Sequence, residues 1–196
     1  MSADVGVAFE APEVAAARTR QTLLVGSRLF LAANTMFMFA MLFAYLYLRG
    51  NNFGGGWRPD GLAELTTPPM ALVLVLQLVC LLVTLGALVA ARRGGAARVI
   101  AAVALVVGIV AMGARVWFQY NLGDGWTINN GTYTAVSEMW FGALIVEVGL
   151  GCIWLLSIAA SAKDKAATAN HLRAFSEFWA YLLVLSTLVF CLVRFV

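Results

Sequence analysis

Five apolar stretches, each long enough to cross a bilayer, dictate what this chain can become. A hydrocarbon core of ~30 Å takes roughly 20 helical residues at about 1.5 Å each. Runs of that length occupy about 28–49, 68–91, 97–120, 132–160 and 172–195. In lipid, backbone polar groups must be satisfied inside the segment itself, so each run is predicted to be a helix. Composition agrees: 62% of the 196 residues are hydrophobic and 12% charged, about half the charged fraction of a soluble domain. The expected fold class is all-α, an integral membrane bundle of five transmembrane helices.

The ends of the runs carry the expected boundary signals. The first run has Arg28 and Arg49 at its ends and Tyr45 and Tyr47 near one of them, where snorkelling cations and interfacial aromatics belong. Pro68 and Pro69 open the second run, a favourable place for proline in a helix's first turn. Arg92-Arg93-Gly94-Gly95 closes it, a turn short enough to force an antiparallel hairpin. Residues 1–27 read as a tail whose Ala-rich end forms a surface helix, and their acidic start does not fit a signal peptide. "GNNFGGGW" (50–57) reads as a flexible turn between the first two helices.

Orientation follows from the basic residues. Arg18, Arg20, Arg28, Arg92, Arg93, Arg98, Lys163, Lys165 and Arg173 fall on one side, and Arg49, Arg58 and Arg194 on the other. That bias predicts a cytoplasmic N-terminus and an external, periplasmic C-terminus. The formal net charge of +3 is thereby explained without a nucleic-acid partner.

Polar groups inside the runs are costly and call for a partner or a function. Asn34 is expected to hydrogen-bond a neighbouring helix. Arg115 and Glu138 lie at matching depths on consecutive helices, which suggests an ion pair, with a binding role for either charge as the alternative. Glu147 sits in "FGALIVEVGLGCIW", with Ala143 and Gly151 four residues to either side. This stripe of small residues should face protein. Two readings stand for Glu147: a neutral or hydrogen-bonded packing residue, or an acid that exchanges protons or touches substrate. Glu177 lies four residues beyond Arg173 and is placed to pair with it.

Redox and metal chemistry are poorly supplied. The one histidine, His171, is placed beside the start of the last helix, and Cys80, Cys152 and Cys191 are scattered through apolar runs. Haem or copper needs such ligands converging at one depth. Nothing resembles a catalytic triad or a phosphate loop, so catalysis by this chain alone is not expected.

Several segments, taken in order, resemble subunit III of haem–copper terminal oxidases in its short five-helix bacterial form. "LAANTMFMFAMLFAYLYLRG" (31–50) is similar to the family's opening helix, with Asn34 where an acid commonly stands. "GARVWFQYNLGDGW" (113–126) is similar to its aromatic–Glu–aromatic helix end, with Gln119 in place of the carboxylate. Aligned through "GLGCIW", two family histidines fall at Leu144 and Glu147. "FSEFWAYLLVLSTLVF" (175–190) keeps the aromatic frame of the last helix in Trp179 and Tyr181, while Ala180 and Leu183 stand where His and Asp are usual. The likeness covers nearly all of 28–196 in helix count, order and loop lengths.

The resemblance implies a non-catalytic subunit that binds no cofactor of its own. Haem and copper belong to partner subunits: the catalytic subunit I, against which it packs, with subunit II completing the assembly. Helix 1 would form one arm and the other helices a second, around a cleft holding phospholipid. Its role would be to stabilise the complex and support proton uptake in aerobic respiration, in a bacterial inner membrane. The electron donor, cytochrome c or quinol, and membership of a respiratory supercomplex stay open. Asn34, Arg115, Gln119, Glu138, Glu147, Trp179 and Tyr181 are the candidate lipid, partner or packing positions. Two further readings remain: an accessory subunit of a nitric oxide reductase, where missing carboxylates are easier to accept, and a small transporter using Glu147 and Arg115.

Overall fold

A computed structural model describes residues 12–54, 56–160 and 165–195. It is built of five helices: α1 (Pro12–Gly50), α2 (Thr67–Arg93), α3 (Ala97–Tyr120), α4 (Thr132–Ala160) and α5 (Lys165–Phe195). All five are long and apolar enough to cross a membrane, which makes this a multi-pass, all-α protein. Residues 1–11, and Lys163 with its immediate neighbours, lie outside the described residues.

Two helices begin well before the apolar runs that predict them. α1 starts at Pro12, inside the expected tail, and α5 at Lys165 rather than 172. The added segments are rich in alanine and other good helix formers, so helix propensity carries the backbone on after the apolar run has ended. At about 1.5 Å per residue, the 39 residues of α1 reach about 58 Å, longer than a whole bilayer is thick.

The helices pack as a ring with one outrigger. α2 packs on α3, α3 on α4, α4 on α5, and α5 back on α2. α1 lies outside that ring, mainly against α5 and less against α4. The periodicity of the buried residues explains the α2–α3 seam. On α3 they are Ala97, Ala101, Ala104, Gly108, Ala111, Arg115 and Phe118, alternating steps of four and three as in a left-handed coiled coil. α2 answers with Met70, Val73, Gln77, Cys80, Thr84, Ala87 and Ala91 at the same alternation. Small side chains along one seam let two backbones approach closely, which is how helices associate where lipid offers no hydrophobic drive.

The α2–α3 turn is set by Gly94, whose φ of 77° is in the left-handed region that a glycine enters without steric cost. The N–H groups of Gly94 and Gly95 bond the carbonyls of Ala91 and Ala90. At the opposite end of the bundle the connections are pinned by aromatics. Trp57 donates to the Tyr45 hydroxyl at 3.1 Å and meets Tyr133 edge-on. Trp126 donates to the Ala63 carbonyl at 2.9 Å, and the Tyr133 hydroxyl donates to the Val193 carbonyl at 2.8 Å. The stretch 50–57 therefore ends in an anchor, so reading it as a flexible turn explains its glycines but misses Trp57.

Candidate functional site

Arg115, Gln77, Glu147 and Asn34 gather, with Ser186, into one largely buried polar strip drawn from all five helices, while Gln119 and Glu138 pair apart from it. Its centre is Trp179 of α5, fully buried. The indole N–H donates to the Gln77 carbonyl of α2 at 2.9 Å, and the ring stacks on Phe175 at 5.3 Å. Room for it comes from Gly151 of α4: a Cβ there would stand 2.5 Å from the indole. Gly108 of α3 faces the same ring and the sulfurs of Cys80 and Cys152.

On one side of this centre lies Arg115, 2% exposed. Its Nη2 donates to the Ser186 hydroxyl at 2.7 Å and to the Gln77 side-chain oxygen at 3.4 Å. The expected Arg115–Glu138 ion pair does not form. Glu138 instead accepts from Gln119 Nε2 at 2.9 Å. Gln119 follows immediately after the buried Phe118 and points toward α4, while Arg115 belongs to the coiled-coil stripe that faces α2 and α5. Equal depth fixed the height of the two charges but not their direction around the helix.

Toward the same end of the bundle as Arg115, one turn from Gly151 along α4, lies Glu147, 6% exposed, so its stripe of small residues does face protein. Asn34 of α1 hydrogen-bonds it, and the Arg115 charge is near enough to act on it. Asn34 Nδ2 also donates to the Tyr181 hydroxyl at 3.3 Å, which is hydrogen-bonded to Thr35 as well. The interhelical role expected of Asn34 is thus its geometry, with α4 and α5 as partners. Opposite charges sharing one buried strip lower the cost of holding either in lipid. Within the strip Glu147 Oε2, Arg115 Nε and Gln77 Nε2 are buried with no hydrogen-bond partner among the described residues, and buried atoms of this kind are where ordered water usually sits. Gln77 and Ser186 escaped the sequence reading. The signal was available: Gln77 is the one amide in the α2 heptad stripe.

Beside Tyr181 an apolar groove of about 270 Å³ runs between α1 and α5, lined by residues such as Met38, Phe39, Leu42, Val184 and Leu188. Nearer the α4–α5 end, Glu177 joins Arg173 at 3.5 Å, as its spacing suggests, and also Arg28 of α1 at 3.3 Å. Among the described residues no three His, Cys, Asp or Glu side chains converge as a metal site would require. Cys80 and Cys152 are buried in the ring and Cys191 is exposed on α5.

Fold and strip together define a class: a five-helix, multi-pass membrane protein whose ring is tied by an internal polar network. No protein-family model matches the chain, and no curated protein matches it in sequence.

Proposed function

We propose that this chain is the accessory subunit III of a haem–copper terminal oxidase of the bacterial inner membrane. In this reading it packs on the catalytic subunit I beside subunit II, holds phospholipid along α1 and carries no redox centre. The observation that supports this best is the use made of the aromatic frame in the last helix. Trp179 ties α5 to α2 and Tyr181 ties it to α1, so the retained residues hold the scaffold together. The positions where the resembling family carries ionisable groups hold Asn34, Gln119, Leu144, Ala180 and Leu183, and Glu147 stands where that family has a histidine. A scaffold that persists while its titratable groups are lost suits a docking and lipid-holding subunit better than a proton antenna. α1 standing outside a closed ring of α2–α5 also fits a two-armed subunit, and its exposed Met36, Phe39, Phe43 and Tyr47 offer a partner a continuous apolar face.

The strip containing Arg115 and Glu147 favours one competing reading, a small transporter, because paired intramembrane charges also mark ion and substrate pathways. Affinity purification of the tagged chain in mild detergent separates them. The oxidase reading expects a partner bearing haem a or o together with copper. Haem b with non-haem iron would assign it to a nitric oxide reductase, and a partner-free chain that moves solute in vesicles would overturn the accessory role.

A further inference from the structure

Arg115 turns away from Glu138, which leaves that carboxylate without a cation. Of the other carboxylates inside the apolar runs, Glu177 pairs with Arg28 and Arg173, and the Arg115 charge acts on Glu147. Glu138 has only the Gln119 amide, at 2.9 Å. Two cations of the same end of the bundle are engaged elsewhere: Arg58 donates to the Leu62 and Ala63 carbonyls, and Arg194 pairs with Glu64. Glu138 opens onto a cavity of about 510 Å³ between α3, α4 and their connection, lined also by Gln119, Tyr120, Trp126, Thr127 and Gly142 and by no lysine or arginine. A carboxylate only accepts hydrogen bonds, so its bond to Gln119 fixes the amide nitrogen toward it and turns Oε1 the other way. That oxygen is buried with no partner among the described residues. Two acceptors, one of them charged, therefore stand side by side. Water would satisfy the amide oxygen but would not balance a charge at the edge of lipid, where ionisable groups pair. Gly142 on α4 and Gly113 on α3 have nothing within 4 Å of an added Cβ, and Trp117, Tyr120, Met139 and Val146 of the same two helices are exposed. Small residues that leave room for a backbone are what another membrane helix packs against.

We propose that this α3–α4 cavity receives an arginine side chain from a membrane-spanning helix of a partner chain. A guanidinium carries five N–H donors in a planar fork and no acceptor, so one group can bond the Glu138 carboxylate and Gln119 Oε1 together. Tyr120 and Trp126 add aromatic rings of the kind on which guanidinium groups rest. A free amine would balance the charge but leave the apolar faces of α3 and α4 uncovered, which is why the site is assigned to a protein. The inference rests on the accessory-subunit reading only in needing a partner; no haem or metal of that partner enters it.

The test places a photo-crosslinking benzoylphenylalanine at Tyr120, which lines the cavity and is exposed, in the full-length chain in its native membrane. Irradiation should join it to one partner peptide, identified by mass spectrometry, with an arginine within about two helical turns of the cross-linked residue. Glu138→Gln should lower the cross-link yield at least tenfold, as loss of one member of a charge pair does, and Glu138→Asp should keep most of it. Gly142→Leu, which fills the open space, should lower the yield as far. Both the Gln and the Leu variants should unfold in detergent like the parent, which separates lost docking from lost fold. Exchanging the charges, with Glu138→Arg here and glutamate for the partner's arginine, should restore the cross-link. A yield indifferent to Glu138, a partner peptide without arginine, or no cross-linked protein would overturn the proposal. A peptide from a second copy of this chain would overturn the foreign partner and assign the groove to self-association. Easier unfolding of both variants would overturn it by assigning Glu138 and Gly142 to the fold. Haem a or o with copper in the purified complex, but no cross-link, would sink this inference and leave the oxidase reading standing.

Discussion

Substituting Gly151 by alanine places one methyl group where the ring of Trp179 already is. The new Cβ would stand 2.5 Å from Cζ3, 3.0 Å from Cε3 and 3.2 Å from Cε1 of Phe178, against ordinary carbon contacts of about 3.5–4.0 Å. The indole must move by about 1 Å. It is poorly free to do so, being pinned by its 2.9 Å bond to Gln77 and stacked on Phe175. Overpacking costs about 1–3 kcal/mol, and stretching that hydrogen bond adds about 1 kcal/mol. Alanine's better helix propensity returns about 0.5–1 kcal/mol, which leaves a net loss of about 1–3.5 kcal/mol. Gly142, on the same helix, has nothing within 4 Å of an added Cβ, so Gly142→Ala is the matched control and should be neutral or slightly stabilising. Denaturation in mixed micelles, followed by tryptophan fluorescence and helical circular dichroism, reads both variants. In a Trp179→Leu background the further cost of Gly151→Ala should fall below about 1 kcal/mol, because the clashing ring is gone. If Gly151→Ala is as stable as Gly142→Ala, then Trp179 is not the close-packed centre of the ring and the packing argument fails.

Ser186→Ala removes the shorter of the two bonds made by Arg115 and should cost about 0.6–1.7 kcal/mol in the same unfolding assay, the range for interhelical polar contacts in lipid. A change of only a few tenths would mean that Arg115 finds water instead. Single cysteines at Ala96 and Asn121, on opposite ends of α3 in a background with Cys191 replaced, should react with a membrane-impermeant maleimide from opposite sides. Asn121 is expected to react from the outside of intact cells. Labelling of Ala96 there would reverse the orientation read from the basic residues.

Much of this fold is legible in the sequence because lipid leaves the backbone few options. The centres of all five spans follow from hydropathy alone. The starts of α1 and α5 do not, because hydropathy reports contact with lipid, and alanine-rich segments such as 12–27 stay helical beyond it. The candidate site divides along the same line. Glu147 is read correctly as facing protein, since Ala143 and Gly151 give its direction around the helix. Arg115 is misassigned because only its depth was weighed. Its membership in the stripe with Ala104, Gly108 and Ala111 carries the missing direction, and it points to α2 rather than to Glu138. Trp57 shows the limit of local reading: its partners Tyr45 and Tyr133 come from two different helices, and nothing in residues 50–57 names them.

The ring closes between α2 and α5, and this has a consequence for the order in which the protein is made. Arg115 enters the membrane with α3, but Ser186, which takes its shortest hydrogen bond, follows 71 residues later. Until α5 arrives, the nascent chain holds a guanidinium in the bilayer at a cost of about 2.5–3.5 kcal/mol with only the longer bond to the Gln77 side chain to offset it, and the Gln77 carbonyl lacks its Trp179 donor. A chain cut short before α5 would therefore keep an exposed intramembrane charge, the kind of mark by which membrane quality control can tell an unfinished protein from a finished one.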